Sequence, residues 1–385
     1  TLLVKISSAN FEGKGIIEIL FETKPFRMKK WTVFKTDQTK TEEAYSSVST
    51  SRDYSKLGQA VSTPRIIRIQ HGGTDKWVAI FGAGGNGGAA TAYGSAVYVI
   101  DIADGGRVLK KIDVADKVGN KVVNSVVASL VPVTPDTTST ANYKGALVYF
   151  ADFESKLWKL NLTNKGTMYQ LQQLFDGEAS ETNGRRVFHD VTLSLDDNSK
   201  LWAFFGTGDR YNIADEDPKI KNRILAIKDT NYPDFKSGVS SITAAKCKNV
   251  TSAGATCPDA SHQGWYVDLD TNEKITGSSA IMDRVVYFPR YIPNKLNPCN
   301  PGTASLSAHA YTCGNTLKKF KLGSGMATTP IIYKGKIYIG ISGAPSGSGM
   351  GTGWTSKDNL IIGNTISGSG GSSNSFTIKS WRQIF

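Results

Sequence analysis

Short apolar runs separated by polar knots recur along the chain, and their period is two rather than 3.6. In ALVYFADFESKLWKLNLT, Ala146 to Thr163, apolar and polar positions alternate in each arm: Leu147 and Tyr149, then Leu157, Lys159 and Asn161. That alternation around ADFESK predicts a hairpin of two half-buried strands. One phrase returns: a small or hydroxyl residue, an aliphatic strand, a turn, then a strand bearing Tyr or Trp. It is read in STPRIIRIQHGGTDKWVAIFGAG from Ser62, NSVVASLV leading to KGALVYFADFESKLWKLNL from Asn124, and HDVTLSLDDNSKLWAFFGTG from His189. GSSAIMDRVVYFPRY from Gly277 and TTPIIYKGKIYIGISG from Thr328 complete five copies, too many for accident.

Several copies continue into a further strand that ends in an acidic or amide residue, as in SAVYVIDIADG from Ser95, SKLWKLNL from Ser155 and NRILAIKDT from Asn222. Each unit then supplies three or four antiparallel strands, the content of a propeller blade. The starts lie roughly 50 to 90 residues apart, and the surplus over a compact blade falls in loops at 214–222, 236–263 and 294–315. A ring of twisted sheets buries each face against its neighbour, which a lone sheet cannot do. The expected fold is all-β, an irregular β-propeller of quinoprotein-like architecture with long inserted loops. Trp77, Tyr98, Trp158, Trp202 and Tyr338 are expected to pack between blades.

Residues 1–57 match the phrase poorly and read as a strand-containing segment, a remnant of earlier blades. Residues 58–385 form the propeller, with Gly/Ser-rich loops within 340–374 and a closing strand over 375–385, where Phe376, Ile378 and Trp381 alternate. The chain opens at Thr1 with neither a Met nor a basic-then-apolar leader, so it is expected to be a fragment or a processed product.

Composition sharpens this picture. The 39 glycines, 15 tyrosines and 16 phenylalanines among 385 residues favour strands and turns, and no apolar run reaches the length of a membrane span. A formal charge of +12 implies attraction to acidic surfaces without choosing one. The densest basic stretch, KPFRMKKWTVFK from Lys24, reads as strands with a solvated basic face; no nucleic-acid-binding pattern accompanies it.

The four cysteines, Cys247, Cys257, Cys299 and Cys313, lie in loops without CxxC spacing. Two loop disulfides suit an exported protein. Of the three connectivities, the two local pairs, Cys247 with Cys257 and Cys299 with Cys313, are favoured. His71, His189, His262 and His309 form no ligand spacing. GAGGNGGAATAYG, from Gly82, runs into a strand rather than the helix of a dinucleotide site, and LDDNSK and ADEDPK read as solvated turns.

Together, KLGQAVSTPRIIRI, KWVAIFGAGGN and SAVYVIDIADG (within 56–105), KLWAFFGTGDRYN (200–212), GWYVDL with GSSAIMDRVVYFPRYIP (264–293), NPCNPG (297–302) and SWRQIF resemble the C-terminal propeller of the PilY1/PilC family of type IV pilus assembly and adhesion proteins. The resemblance covers about residues 56 to 340. It implies a non-enzymatic, extracytoplasmic factor at the cell surface or pilus tip that promotes pilus extension. Its partners would be minor and major pilins and a host-cell or abiotic surface, with neither nucleic acid nor a membrane span in this segment. Family members that bind calcium place a DxNxDGxxD loop before a hairpin of the form YAGDLxGNLWRFDL. ADFESKLWKLNL matches that hairpin at Asp152, Leu157 and Trp158. In the preceding VTPDTTSTANYKGA, however, Ala146 stands where the closing acid belongs and Asp136 is the one carboxylate. Asp136 and Asn142 are the weak remaining candidates, and calcium is expected to be absent, since such a site takes six to eight oxygens with several carboxylates. A generic ligand- or glycan-binding propeller is the alternative. A quinoprotein dehydrogenase is less favoured, because the chain has no adjacent cysteines and no acidic cluster to hold a metal-bound cofactor.

Overall fold

The computed structural model describes residues 53–85, 93–114, 124–135, 144–179, 184–213, 220–294 and 301–367. It also describes the backbone of strands at 3–6, 17–20, 31–34, 40–43, 117–118 and 122–123. Among these residues there is no α-helix, only strands and two short 3₁₀ turns. Among the described residues no helix is long and apolar enough to cross a membrane.

Five successive sheets follow the repeated phrase. The first comprises Arg65–His71, Thr74–Gly82, Ala96–Asp101 and Arg107–Asp113, and the second Val131–Val133, Leu147–Ala151, Leu157–Asn161 and Leu171–Phe175. Thr192–Leu195, Leu201–Gly206, Arg223–Asp229 and Gly264–Asp268 form the third, extended by Lys248–Asn249. The fourth contains Val285–Ile292, Thr303–Ala310 and Thr316–Ser324, with Lys274–Ile275 and Ala280–Met282 both paired to Val285–Ile292. The fifth contains Ile331–Tyr333, Lys336–Gly340, Leu360–Asn364 and Thr355–Lys357. A further four-stranded antiparallel sheet, Leu3–Ile6, Ile17–Leu20, Trp31–Phe34 and Lys40–Glu43, precedes them.

Alternation along single strands makes these sheets blades. In Leu147–Ala151, Val148 and Phe150 join Ile69, Val78, Ile80, Val97 and Val99 of the first sheet in one apolar cluster. Leu147, Tyr149 and Ala151, one residue out of phase, join Leu201, Ala203, Phe205, Leu225 and Ile227 of the third sheet in another. Trp202, Phe204 and Trp265 then meet Val286 and Phe288 between the third and fourth sheets. Val285 and Tyr287 meet Ile337, Ile339 and Ile361 between the fourth and fifth. A strand sandwiched in this way has two buried faces, because successive side chains point to opposite sides.

This corrects the half-buried reading of the Ala146–Thr163 hairpin. Leu147–Ala151 is buried at every position, and Lys159 and Asn161 are buried with the apolar residues of their strand. The polar positions are interior because blades stack on both sides and their charges find partners. Of the aromatics expected between blades, Trp202 lies in the cluster of the third and fourth sheets and Trp158 packs against that of the first and second. Tyr98 is buried under the segment Tyr54–Ala60 on the first sheet's other face. Trp77 departs from expectation at 58 % exposed, and Tyr338 pairs with Ile331, itself 58 % exposed, on the face of the fifth sheet opposite its core. Both sit on the first and last of these five sheets, on faces outside the apolar clusters that the five share.

Candidate functional site

The small and hydroxyl residues that open each copy of the phrase bind blade to blade. The backbone N–H of Thr63 donates to Ser129 Oγ at 3.0 Å, and that of Ser129 to Asp190 Oδ1 at 2.9 Å. Arg65 Nη2 reaches Asp190 Oδ2 at 3.1 Å, so one carboxylate ties the leading segments of the first three blades together. Thr192 Oγ1 donates to Ser279 O and accepts from Ser279 Oγ, both at 2.8 Å, linking the third and fourth. The N–H of Ser278 donates to Thr329 Oγ1 at 3.0 Å, linking the fourth and fifth. First strands that meet one another in this way line the inner side of the blade series, and short hydroxyl residues permit close approach while satisfying backbone groups.

The acid or amide that ends the third strand of a blade also has a physical reason. Asp101, Asn161 and Asp229 each accept, at 3.0 Å, the N–H of the residue two positions on, in Ala103, Thr163 and Asn231. These are side-chain-closed turns. Asp229 additionally accepts from Tyr149 OH at 2.8 Å and from Lys159 Nζ at 2.7 Å, a buried ion pair bridging the second and third blades. Burial lowers the Lys159 pKa while Asp229 opposes the shift.

ADFESKLW and LDDNSKLW prove to be one device used twice. Asp152 Oδ1 accepts the N–H groups of Glu154 and Lys156, and its Oδ2 accepts Trp158 Nε1 and, at 2.6 Å, Asn124 Nδ2. Asp196 Oδ1 accepts from Asn198 and Lys200, and its Oδ2 from Trp202 Nε1 at 2.9 Å. Burial pushes the Asp152 carboxyl up to about 6, against the pull of Trp158 and Asn124. Asp196, half-buried, closes the turn predicted for LDDNSK.

Phe153, at the tip of the first hairpin, meets Phe188 and Tyr211 of the following blade at centroid distances of 4.6 and 5.7 Å. Arg186 lies 5.5 Å above the Phe153 ring and pairs with Asp209 at 3.0 Å. Tyr211 is 44 % exposed, so this aromatic and cationic cluster reaches solvent. It presents flat rings beside a guanidinium, the residue types enriched where protein surfaces bind partners.

Asp136 and Asn142 lie outside the described residues, as do the acidic run 215–217, Cys299 and the strand expected over 375–385. The frame around the expected calcium loop is described. Ala146, at the closing position, is buried in the apolar cluster between the first and second blades, and Gly145 at φ +92° leaves no room for a Cβ against Leu162 O. Lys144 bonds to Asn164 and lies 3.6 Å from Asp75. The described frame brings an apolar seat and a cation to the end of that loop, while 136–143, with the candidate ligands, lie outside the described residues. Among the described residues no group of three or more His, Cys, Asp or Glu side chains is placed to hold a metal.

The cysteine pairing differs from the local one. Cys257 is bonded to Cys313, 56 positions away, and Cys247 is a buried free thiol, its pKa pushed up to about 12 by burial. Cys247 sits in the core between the second and third blades, whereas Cys257 lies in an exposed loop that folds onto the turn after Thr303–Ala310. Proximity in sequence therefore misleads, because consecutive loop residues serve different layers. The four histidines are dispersed too: His71 bonds Tyr169, His262 bonds Asp259 and His309 bonds Ser307 and Gly314. The Nε2 of His189 is buried and unpartnered.

Sequence reasoning gave Arg65 and Asp190 no role, although the hydroxyl opening of each phrase, with HDVT in the third copy, was the available signal.

No family model matches the chain. Over 279 residues it is 23 % identical to the type IV pilus biogenesis factor PilY1 homolog of Xylella fastidiosa, which covers 64 % of this chain. The chain spans about a fifth (18 %) of that relative's length. The crystal structure of the Pseudomonas aeruginosa PilY1 C-terminal domain superposes with a TM-score of 0.56 at 15 % identity, over 89 % of this chain and 82 % of that one. The fold is that of the PilY1 C-terminal domain. The resemblance read from residues 56 to 340 thus holds for a PilY1-type sequence relative and for the architecture. A quinohemoprotein alcohol dehydrogenase from Comamonas testosteroni is a more distant neighbour, at 10 % identity and a TM-score of 0.43, over 94 % of this chain and 60 % of that one.

Proposed function

We propose that this PilY1-type domain is a non-catalytic component of the type IV pilus machinery, acting outside the cytoplasm in pilus biogenesis and surface attachment. The observation that carries the reading is the agreement of a PilY1 homolog in sequence with the PilY1 C-terminal domain in fold. The Cys257–Cys313 disulfide suits an oxidising compartment. The described polar clusters are spent on turn closure and blade-to-blade bonding, which fits a rigid binding scaffold. Pilins and an external surface are the partners this role requires.

Cell fractionation tests the placement. The chain is expected in sheared surface or periplasmic fractions with Cys257 and Cys313 oxidised, and it should appear with pilin when pili are precipitated. Exclusive recovery from the cytoplasm with both thiols reduced would overturn the proposal.

A further inference from the structure

The groove between the third and fourth blades holds a cavity of about 270 Å³ that none of the roles above absorbs. One wall is the turn Asp196–Asn198, which leads into Leu201–Gly206, together with Trp202 and its cross-strand neighbour Lys228. The other is the turn Tyr311–Cys313 of the fourth blade, and Cys257 and Pro258 of the inserted loop complete the lining. Its walls are held in place by bonds of their own. The carboxylate of Asp196 accepts from Asn198, Lys200 and Trp202, and Trp265 Nε1 donates to the Tyr311 carbonyl at 2.9 Å. The Cys257–Cys313 disulfide ties the inserted loop of one blade to the turn of the next. A ligand entering here meets a preorganised frame, which lowers the ordering cost of binding.

The frame is fixed, but part of the lining is uncommitted. Among the described residues, the side-chain amide of Asn198 and the hydroxyl of Thr312 have no hydrogen-bond partner, and the Lys228 ammonium has no carboxylate. Lys228 Nζ lies over the Trp202 ring, 5.1 Å from its centroid, and Asp197 gives one oxygen, Oδ1, to Arg284 at 2.9 Å. Asn198 and Thr312 can each donate and accept, Lys228 donates and Asp197 Oδ2 accepts. That mixture selects a chemistry. An anion would meet the Asp196 and Asp197 carboxylates, and a cation would meet Lys228 and Arg284. A neutral ring whose hydroxyls each donate and accept meets neither penalty and uses both kinds of group. At roughly 30 Å³ per water the cavity has room for about nine waters, a space suited to one sugar ring rather than to a folded segment. Pro258 and the disulfide offer apolar surface to the C–H groups of such a ring.

We infer that this cavity binds the terminal neutral pyranose of a glycan, with Asp197, Asn198, Lys228 and Thr312 as its hydrogen-bonding groups. The site gives a ligand to the surface attachment proposed above and rests on that reading for its biological use. Binding itself is measured on the purified chain without pili, so failure of binding leaves the pilus role standing, and failure of the pilus role leaves the site standing.

The test is saturation-transfer NMR on the full, oxidised chain. The probes are the methyl glycosides of glucose, galactose, mannose, N-acetylglucosamine and fucose, with methyl glucuronide as the anionic comparison, all at millimolar concentration. At least one neutral glycoside is expected to show saturation transfer, and methyl glucuronide none. Asp197→Ala with Asn198→Ala should weaken that glycoside at least about tenfold, the loss expected when one charged and one neutral hydrogen-bonding group are removed. Thr312→Trp, which fills the cavity, should abolish the signal, whereas Asp104→Ala, in an exposed turn of the first blade, should leave it unchanged. Three results overturn the inference: no transfer to any neutral glycoside, affinity that survives the cavity variants, or preference for the glucuronide. If Thr312→Trp does not fold, Lys228→Met takes its place, and binding unchanged in it and in the double variant refutes the site.

Discussion

The indole Nε1 of Trp158 donates to the carboxylate of Asp152, the residue that opens the same turn six positions earlier. Trp202 repeats the bond to Asp196 in the next blade, so the side chain that closes the turn also fixes the aromatic that packs between blades. Removing Asp152 takes the acceptor from Trp158 Nε1, leaves Asn124 Nδ2 with the Val114 carbonyl alone and strips the turn N–H groups of Glu154 and Lys156 of their carboxylate, at about 1–3 kcal/mol for each donor left unpaired. Asp152→Ala should therefore cost roughly 3 kcal/mol in urea unfolding. Asp196→Ala, at a half-buried site with no amide partner of the Asn124 kind, should cost about 1 kcal/mol. Equal losses would refute the ranking.

Lys159 and Asp229 exemplify a buried pair whose partners are hard to remove singly. Lys159→Met strands Asp229, leaving it to Tyr149 and the Asn231 N–H, and is expected to cost about 3–5 kcal/mol. Exposed pairs such as Arg284–Asp197, where the aspartate is 63 % exposed, should cost under about 1 kcal/mol when broken. Chemical denaturation of the two variants measures both, and a comparable loss at the exposed pair would contradict the burial argument.

His309 makes stability depend on pH in a readable way. Burial holds its pKa down to about 4, while the unfolded side chain titrates near 6.5. Its stabilising contribution is complete above 6.5 and is lost as pH falls through 6.5 towards 4, about 2 kcal/mol by pH 5. Asp152 runs the other way: its raised value, about 6, favours the protonated folded state, so its contribution fades as pH rises from about 4 to 6. The histidine is isolated by His309→Gln, whose destabilisation relative to the unsubstituted chain should shrink by about 2 kcal/mol between pH 7.5 and pH 5. A penalty independent of pH would show that His309 titrates normally.

The architecture was legible because blades repeat a short-range pattern: period-two strands, a hydroxyl at the start and an acid or amide at the end. What escaped was set by distant layers. Lys159 looks like a solvent-facing residue until the third blade supplies Asp229. Trp77 resembles the packed aromatics of other copies, but it lies on a face outside the apolar clusters that the five sheets share. Cys257 passes over its sequence neighbour Cys247, which a different core has claimed, and pairs with Cys313. Local spacing cannot show which layer a loop residue serves.

That pairing has a measurable consequence. A bond closing a 56-position separation stabilises by about 4 kcal/mol on the chain-entropy account. Cys257→Ser with Cys313→Ser should lower the unfolding midpoint substantially. Peptide mapping without reduction should find Cys257 joined to Cys313, with Cys247 alkylated only after unfolding. A Cys247–Cys257 peptide would contradict the structure.

The central claim is membership of the pilus machinery, and piliation after gene deletion tests it most directly. Pilin sheared from the cell surface should be lost on in-frame deletion and restored by the intact gene. Unchanged surface pilin in the deletion strain would contradict the account.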